Sequence, residues 1–176
     1  RRPHPDGLIH MTEQKAQEED KRTAQRLARA AARLAAVQAL YQMEITGASW
    51  REVRQEFETH RIGAEIEGEQ YREADITLFR AILEGVVERQ SDIDKLTDAA
   101  LVAKWPLGRV DPTLRAIFRC GGYELLARTD IPPRVAINEY VDVAKAFFPE
   151  GQESRFANAV LDHMAREARA EEMTAR

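Results

Sequence analysis

Four arginines near the N-terminus have a spacing that suggests a binding surface. They follow one another at intervals of four, three and four residues: Arg22, Arg26, Arg29 and Arg33. At about 100° per residue, a helix places them within a sector of roughly 60°. Forked guanidinium donors in a row suit phosphate groups and can stack on unpaired bases. The alternative is a solvated helix face, although such faces usually mix charges to form pairs four residues apart.

The charge of the chain is unevenly distributed. Residues 21–43 contain five cations and no acid, whereas the whole chain of 176 residues has a net charge of −4. The remainder therefore carries −9. A positive patch on an acidic body attracts phosphate at one place and repels it elsewhere. This asymmetry favours a local nucleic-acid site and leaves an acidic surface suited to a basic protein.

Two aromatic residues could complete such a site. Tyr41 lies near the C-terminal end of the first predicted helix, where it could stack on a base or fill the core. Phe156 stands between Arg155 and Asn158, and it could likewise form a reading surface or pack inside. We expect Tyr41 and Phe156 to approach each other across the first and last predicted helices.

No combination of residues predicts catalysis, a metal site or a cofactor. The four histidines are scattered, and no HExxH or CxxC spacing occurs. Cys120 is the only cysteine, so no internal disulfide can form and a cytoplasmic location is expected. Its apolar neighbours indicate an inert core residue. The sequence therefore predicts a binding protein rather than an enzyme.

The elements that position these residues are predicted to be helices. Apolar residues recur every three or four positions, and strand alternation is nearly absent. The first helix is expected from about Thr23 to Ile45, with Gly47 ending it. Its apolar stripe is predicted at Leu27, Ala30, Leu34, Val37 and Tyr41. No apolar run approaches the roughly 18 residues that span a membrane, and no signal peptide is visible.

Six further helices follow, and together they predict an all-α fold. Ser49, Ser91 and Asp111 are the expected N-caps, and the pair Gly121–Gly122 indicates a close helix crossing. Pro106 and Gly108 divide the chain into two packed antiparallel helical subdomains. The expected ranges are an expression tag or disordered leader at 1–10, an N-terminal subdomain at 11–104, a C-terminal subdomain at 105–170 and a tail at 171–176.

Four segments between about residues 23 and 166 are together distinctive. They are Ala-Ala-Val-Gln-Ala-Leu-Tyr at 35–41, Leu-Arg-Ala-Ile-Phe-Arg at 114–119 with Tyr-Glu-Leu-Leu at 123–126, Asp-Ile-Pro-Pro-Arg-Val-Ala-Ile-Asn-Glu at 130–139, and Phe-Ala-Asn-Ala-Val-Leu-Asp at 156–162. Their order and spacing resemble the NusB family of bacterial transcription antitermination factors. The third and fourth segments are the most specific.

The resemblance implies both a function and partners. It implies binding of the boxA element in single-stranded leader RNA, jointly with the small-subunit ribosomal protein NusE, within an antitermination complex with RNA polymerase that supports ribosomal RNA transcription. The implied RNA contacts are Arg22, Arg26, Arg29, Arg33, Tyr41, Arg155, Phe156 and Asn158. The implied NusE contacts lie around the loop before the last helix and nearby: Asp130, Glu150, Gln152 and Glu153.

The chain departs from the family pattern at two places. The loop before the last helix reads Glu-Gly-Gln-Glu-Ser-Arg at 150–155, where the family often has Glu-Asp-Ser. Leu114 stands where an acid is common, although Asp111 precedes it. These differences bear on individual contacts rather than on the class of protein.

Two other functions, and the oligomeric state, stay open. A similar helical module precedes the catalytic domain of RNA cytosine methyltransferases, but a chain of 176 residues without strands or a GxGxxG motif would not hold that domain. A helical scaffold that binds only proteins, with merely solvated arginines, is the second alternative. Self-association into a homodimer is compatible with either.

Overall fold

Helices make up nearly all of the structure. The computed structural model describes residues 5–62, 69–101 and 110–175. Seven helices lie within these ranges: α1 (Pro5–Thr46), α2 (Trp50–Phe57), α3 (Glu69–Ala100), α4 (Pro112–Ala127), α5 (Pro133–Phe147), α6 (Glu153–Ala168) and α7 (Ala170–Thr174). A π-helical turn, Glu58–Ile62, follows α2 directly. The predicted all-α class is confirmed. No helix in the described ranges is long and apolar enough to cross a membrane.

Local capping signals determine several helix ends as the sequence predicts. Gly47 follows α1 with a φ of 73°, a conformation that glycine adopts without steric cost, and its N–H donates to Met43 O at 2.9 Å. Ser49 Oγ accepts from the Glu52 N–H at 3.3 Å and so caps α2. Asp111 Oδ1 accepts from the Thr113 N–H at 2.8 Å at the start of α4.

The first helix is longer than predicted. It begins at Pro5 rather than near Thr23, and every residue from 5 to 23 is exposed. Proline suits the first turn of a helix, and the Gln-, Glu- and Ala-rich residues that follow are good helix formers. Residues 5–10 are thus part of α1, whereas residues 1–4 lie outside the described part. The interpretation of 1–10 as a tag stays a prediction.

The third helix joins two that the sequence separates. Ser91 does not cap a new helix, because α3 continues through it with a kink at Arg89, where φ is −116° and ψ is 18°. The sequence also predicts a loop from His60 to Gln70, of which residues 63–68 lie outside the described residues, as does the predicted break at 106–108. The division into subdomains 11–104 and 105–170 consequently stays a prediction.

The core forms where two groups of helices meet. In the first group, α1 and α2 pack with α3. In the second group, α5 and α6 pack with α4. The two groups meet because α4 also lies against α1 and α3. The predicted close crossing is found at the two glycines of α4. A Cβ on Gly121 would lie 2.8 Å from Leu161 Cδ2, and one on Gly122 would lie 2.7 Å from Ile93 Cγ2. Cys120 beside them is fully buried, as predicted.

Candidate nucleic-acid interface

The buried face of α1 consists mainly of alanines. Ala32, Ala36 and Ala39 are completely inaccessible, whereas Leu27 is 64% and Tyr41 is 41% exposed. The predicted apolar stripe is therefore wrong at these two positions. Small side chains allow α1 to approach α3 and α4 closely, since the distance between helix axes depends on the residues at the contact. Val37 and Leu40 are buried with these alanines, whereas Leu27 and Tyr41 lie beside the contact and are exposed to solvent.

Three of the four arginines form an exposed basic surface. Arg22, Arg26 and Arg29 are all exposed. Among the residues that the structure describes, none of the three has a carboxylate within ion-pair distance, although exposed arginines elsewhere do, such as Arg80 with Glu58. We call these three residues the basic row. Its positive charge faces solvent, and exposed positive charge of this kind attracts a polyanion.

Arg33 does not belong to this row, which corrects the sequence-based prediction. It is 3% exposed, and its Nε and Nη2 donate to the two carboxylate oxygens of Glu124 at 2.9 and 3.0 Å. Its Nη1 also lies 3.5 Å from Glu139 Oε2. Arg33 faces the same direction as the buried alanines, so it enters the protein where α1 crosses α4 and α5. A guanidinium with these partners is not available to bind a phosphate as the exposed arginines are.

The carboxylate of Glu124 is the centre of a buried polar network. Besides the bonds from Arg33, the carboxylate of Glu124 accepts a short hydrogen bond from the hydroxyl of Tyr140, and both Glu124 and Tyr140 are fully buried. Burial and the charge of Glu124 raise the pKa of Tyr140 well above its ordinary value, so the phenol stays protonated. Burial alone would lower the pKa of Arg33, but the hydrogen bond and charge of Glu124 raise it overall. The network joins α1 to α4 and α5 and so holds the basic row in place.

A groove of about 760 Å³ opens beside the basic row, between α1, α3 and α5. We call it the α1–α5 groove. Its residues are Arg26, Arg29, Arg33, Thr77, Leu78, Arg128, Asp130, Ile131, Pro132, Val135 and Glu139. Exposed arginines next to apolar residues suit an anion that carries an apolar or planar group.

Tyr41 lies on a second groove, farther along α1. This groove has a volume of about 470 Å³ and is lined by Gln38, Tyr41, Gln42, Ile45, Thr46, Phe57, Arg61, Thr113 and Phe147. Arg61 lies over the ring of Phe57 at 4.7 Å from its centre. The partly exposed ring of Tyr41 is thus placed beside amide and guanidinium groups, a combination that can stack on a base and hydrogen-bond its edge.

The three predicted residues at the start of α6 differ in exposure. Arg155 and Asn158 are exposed, whereas Phe156 is half-buried and packs edge-on against Phe118 with ring centres 5.8 Å apart. No ring contact joins Tyr41 and Phe156 among the described residues, so their expected approach stays a prediction. Tyr41 shares its groove with Phe147 of α5 instead.

The predicted partner-binding residues lie on two different features. Glu150 and Gln152 are exposed in the turn between α5 and α6. Glu153 begins α6 with one carboxylate oxygen buried and without a hydrogen-bond partner in the described part of the chain. Asp130 instead lines the α1–α5 groove and pairs with Arg128 at 3.2 Å, whose hydrogen bond lowers the pKa of Asp130. Asp130 therefore belongs beside the basic row rather than with the turn.

Two parts of these surfaces have only weak signals in the sequence. Arg128 and Val135 lie near the basic row although they are more than 90 positions away in the sequence. The only sequence signal for this position is that both are close to the turn at Asp130–Pro133. Arg61 reaches the Tyr41 groove from a segment that the sequence predicts to be a loop. Such long-range juxtapositions follow from helix packing and not from spacing.

Comparison with known proteins identifies close relatives. The model of the NusB family matches residues 30–166. Two proteins named transcription antitermination protein NusB are similar over most of their length. The one from Rhodopseudomonas palustris strain BisB18 is 52% identical over 83% of this chain and 86% of its own, and the one from Mesorhizobium japonicum is 54% identical over 81% and 92%.

Solved structures share the fold. NusB of T. maritima superimposes with a TM-score of 0.66 and 30% identity, covering 84% of this chain and 97% of the other. A structure described as the antitermination factors NusB and NusE in complex with double-stranded RNA gives a TM-score of 0.66 at 21% identity, over 80% of this chain and 97% of the other.

Proposed function

This chain belongs to the NusB family, and we propose from this premise that it is an RNA-binding transcription antitermination factor. In this role it binds the boxA element of leader RNA together with NusE and supports transcription of ribosomal RNA. The role is regulatory, as the names of its relatives indicate, and involves no catalysis or cofactor. It is exercised in the cytoplasm, where bacterial transcripts are made.

The basic row is the observation that supports RNA binding most directly. Arg22, Arg26 and Arg29 are exposed on one side of α1 and have no ion-pair partner among the described residues, in a protein whose net charge is −4. On an ordinary helix face, acidic side chains three or four residues away would pair with such arginines. Phosphates of a single strand can neutralise them, while Tyr41 and Phe156, flanked by Arg155 and Asn158, supply rings and polar groups for unpaired bases. Arg33 supports this surface from the core.

The turn before α6 is the proposed contact with NusE. Glu150 and Gln152 are exposed there, and Glu153 follows at the first turn of α6. A ribosomal protein is usually basic, so the negative charges of Glu150 and Glu153 would steer it to the protein while repelling RNA. Asp130 stands apart from this turn, and we assign it to the α1–α5 groove.

Assembly beyond the RNA and NusE is also part of the proposal. The complex would act on RNA polymerase, as an antitermination factor must.

Exposed apolar side chains on α1, such as Leu27 and Ile45, would support a homodimer when RNA is absent. Sedimentation of the isolated protein over a range of concentrations tests this, and RNA is expected to shift a dimer towards monomer.

A gel shift tests the proposed function. The full chain is titrated against leader RNA containing boxA and against the same RNA with boxA scrambled, each with and without NusE. Tighter binding of the boxA RNA, strengthened by NusE, is the expected result. Equal affinities for both RNAs under both conditions would leave a scaffold that binds only proteins as the better description.

A further inference from the structure

The α1–α5 groove has two cations that form no ion pair with the residues that the structure describes. Its four arginines fall into two groups. Arg33 is bound to Glu124 and Glu139, and Arg128 is bound to Asp130. Arg26 and Arg29 line the same groove, and the described part of the chain offers neither of them an ion-pair partner. The groove therefore has two guanidinium groups available for an external anion.

The wall opposite the arginines is apolar and partly accessible. Ile131 and Pro132 precede α5, and Val135 in its first turn is 46% exposed. Leu78 from α3 contributes to the floor. A ligand that uses the whole groove must place an anionic group at the arginines and a flat or apolar group against this wall. The volume of about 760 Å³ lies within the range typical of small-ligand sites.

We propose that the α1–α5 groove is a nucleotide subsite that takes one unpaired nucleotide of the bound RNA. Its phosphate lies on Arg26 and Arg29, and its base lies against Pro132 and Val135. This inference rests on the proposed function and adds to it a base-contacting wall from α5. RNA is favoured over a peptide because the proposed protein partner is basic, and the available arginines would repel it.

The phosphate of the nucleotide needs positive charge, and its base needs an apolar surface. Two variants of Val135 test these two requirements separately. Val135 is the third residue of α5, where a glutamate is favourable to the helix dipole, so Val135→Glu keeps the helix intact. The introduced glutamate places a negative charge where the proposed nucleotide would lie. Val135→Phe adds no charge and enlarges the surface on which a base can stack. Val87 is 39% exposed on α3 and lines neither groove, so the same two changes at Val87 are matched controls.

The experiment measures the affinity of the four full-length variants for fluorescein-labelled boxA RNA by anisotropy, and for NusE in parallel. We expect Val135→Glu to weaken RNA binding by about tenfold and Val135→Phe to strengthen it by about threefold. Both Val87 variants should bind as the unmodified protein does. In a second measurement, 4-thiouridine replaces one nucleotide of the RNA at a time. Crosslinking to residues 131–135 should occur from one position of the RNA only.

The outcomes distinguish this inference from the function on which it rests. If the unmodified protein prefers boxA RNA but both Val135 variants bind it unchanged, the groove is not a nucleotide subsite, although the proposed function stands. If the Val135 variants alter only the affinity for NusE, the groove is a protein-docking site and the inference is wrong. If the unmodified protein shows no preference for boxA RNA with or without NusE, the proposed function fails, and the subsite fails with it.

Discussion

Residues of one type perform different tasks in α1 because their burial differs. Arg26 and Arg29 are exposed and have no carboxylate partner in the described residues, whereas Arg33, four positions after Arg29, is buried and held by Glu124. Buried charges persist in proteins only when they are paired and hydrogen-bonded. Arg33 therefore attaches α1 to α4 and α5, and the earlier arginines are the ones that we propose to bind RNA.

Removing Arg33 tests its structural role. Arg33→Ala leaves the carboxylate of Glu124 buried without its counter-charge, so we expect the free energy of unfolding to fall by about 3–5 kcal/mol in urea titrations. Arg26→Ala, an exposed arginine on the same helix, should change it by less than about 0.5 kcal/mol. Combining Arg33→Met with Glu124→Gln should recover most of the loss. Equal, small effects of Arg33→Ala and Arg26→Ala would refute this assignment.

The two aromatic residues should respond differently to truncation. Tyr41 is 41% exposed, so Tyr41→Ala should weaken RNA binding by about 1–3 kcal/mol with little change in melting temperature. Phe156 packs on Phe118, and Phe156→Ala should therefore lower stability by at least about 1 kcal/mol. Thermal unfolding and RNA titration of both variants measure the two effects. A destabilised Tyr41→Ala protein with unchanged RNA affinity would show that Tyr41 serves packing alone.

Individual helices show which features a sequence can predict. Gly47, Ser49 and the pair Asp111–Pro112 were sufficient to locate helix ends, because a cap acts within three or four residues. The buried face of α1 could not be found in this way. Hydrophobic periodicity weights large side chains such as Leu27, whereas the contact is made by alanines that permit close approach.

The candidate site was predictable in its charge but not in its shape. Helical spacing alone predicts a stripe of four arginines, of which the three in the basic row are exposed and Arg33 is buried. The ion pair of Arg33 with Glu124 joins residues 91 positions apart, so no local sequence pattern predicts it. For the same reason the wall that Val135 contributes to the α1–α5 groove and the association of Asp130 with the arginines became visible only once the helices were packed.

The turn between α5 and α6 yields a prediction about NusE. Glu150→Lys reverses one exposed charge there and should slow association with NusE a few-fold at low salt, because electrostatic steering acts on the association rate. Glu167→Lys makes the same change at the other end of α6 and is the control. Stopped-flow or biosensor kinetics measure both. RNA affinity of the Glu150→Lys protein alone should hold or rise slightly; a parallel collapse of RNA and NusE binding would mean that the two use one surface.

Across the whole molecule, charge separates the two proposed partners. Residues 21–43 carry +5 and the remainder −9, so one acidic body presents a single strongly basic segment. The long helix α1 displays this segment, and the buried network of Arg33, Glu124 and Tyr140 attaches α1 to the C-terminal helices. RNA and a basic protein can therefore be bound at once, on neighbouring surfaces of opposite charge.

The most direct test of this account is the salt dependence of RNA binding. Affinity for boxA RNA is measured at several salt concentrations for the unmodified protein, for Arg26→Ala/Arg29→Ala, and for the control Arg51→Ala/Arg166→Ala, which removes two exposed arginines from other helices. If about three phosphates are neutralised, log K falls against log salt with a slope of roughly −2. The Arg26→Ala/Arg29→Ala protein should give a slope of roughly −0.7, and the control should match the unmodified protein. A slope near zero for the unmodified protein, or the same slope in all three, would contradict the claim that the arginines of α1 bind RNA.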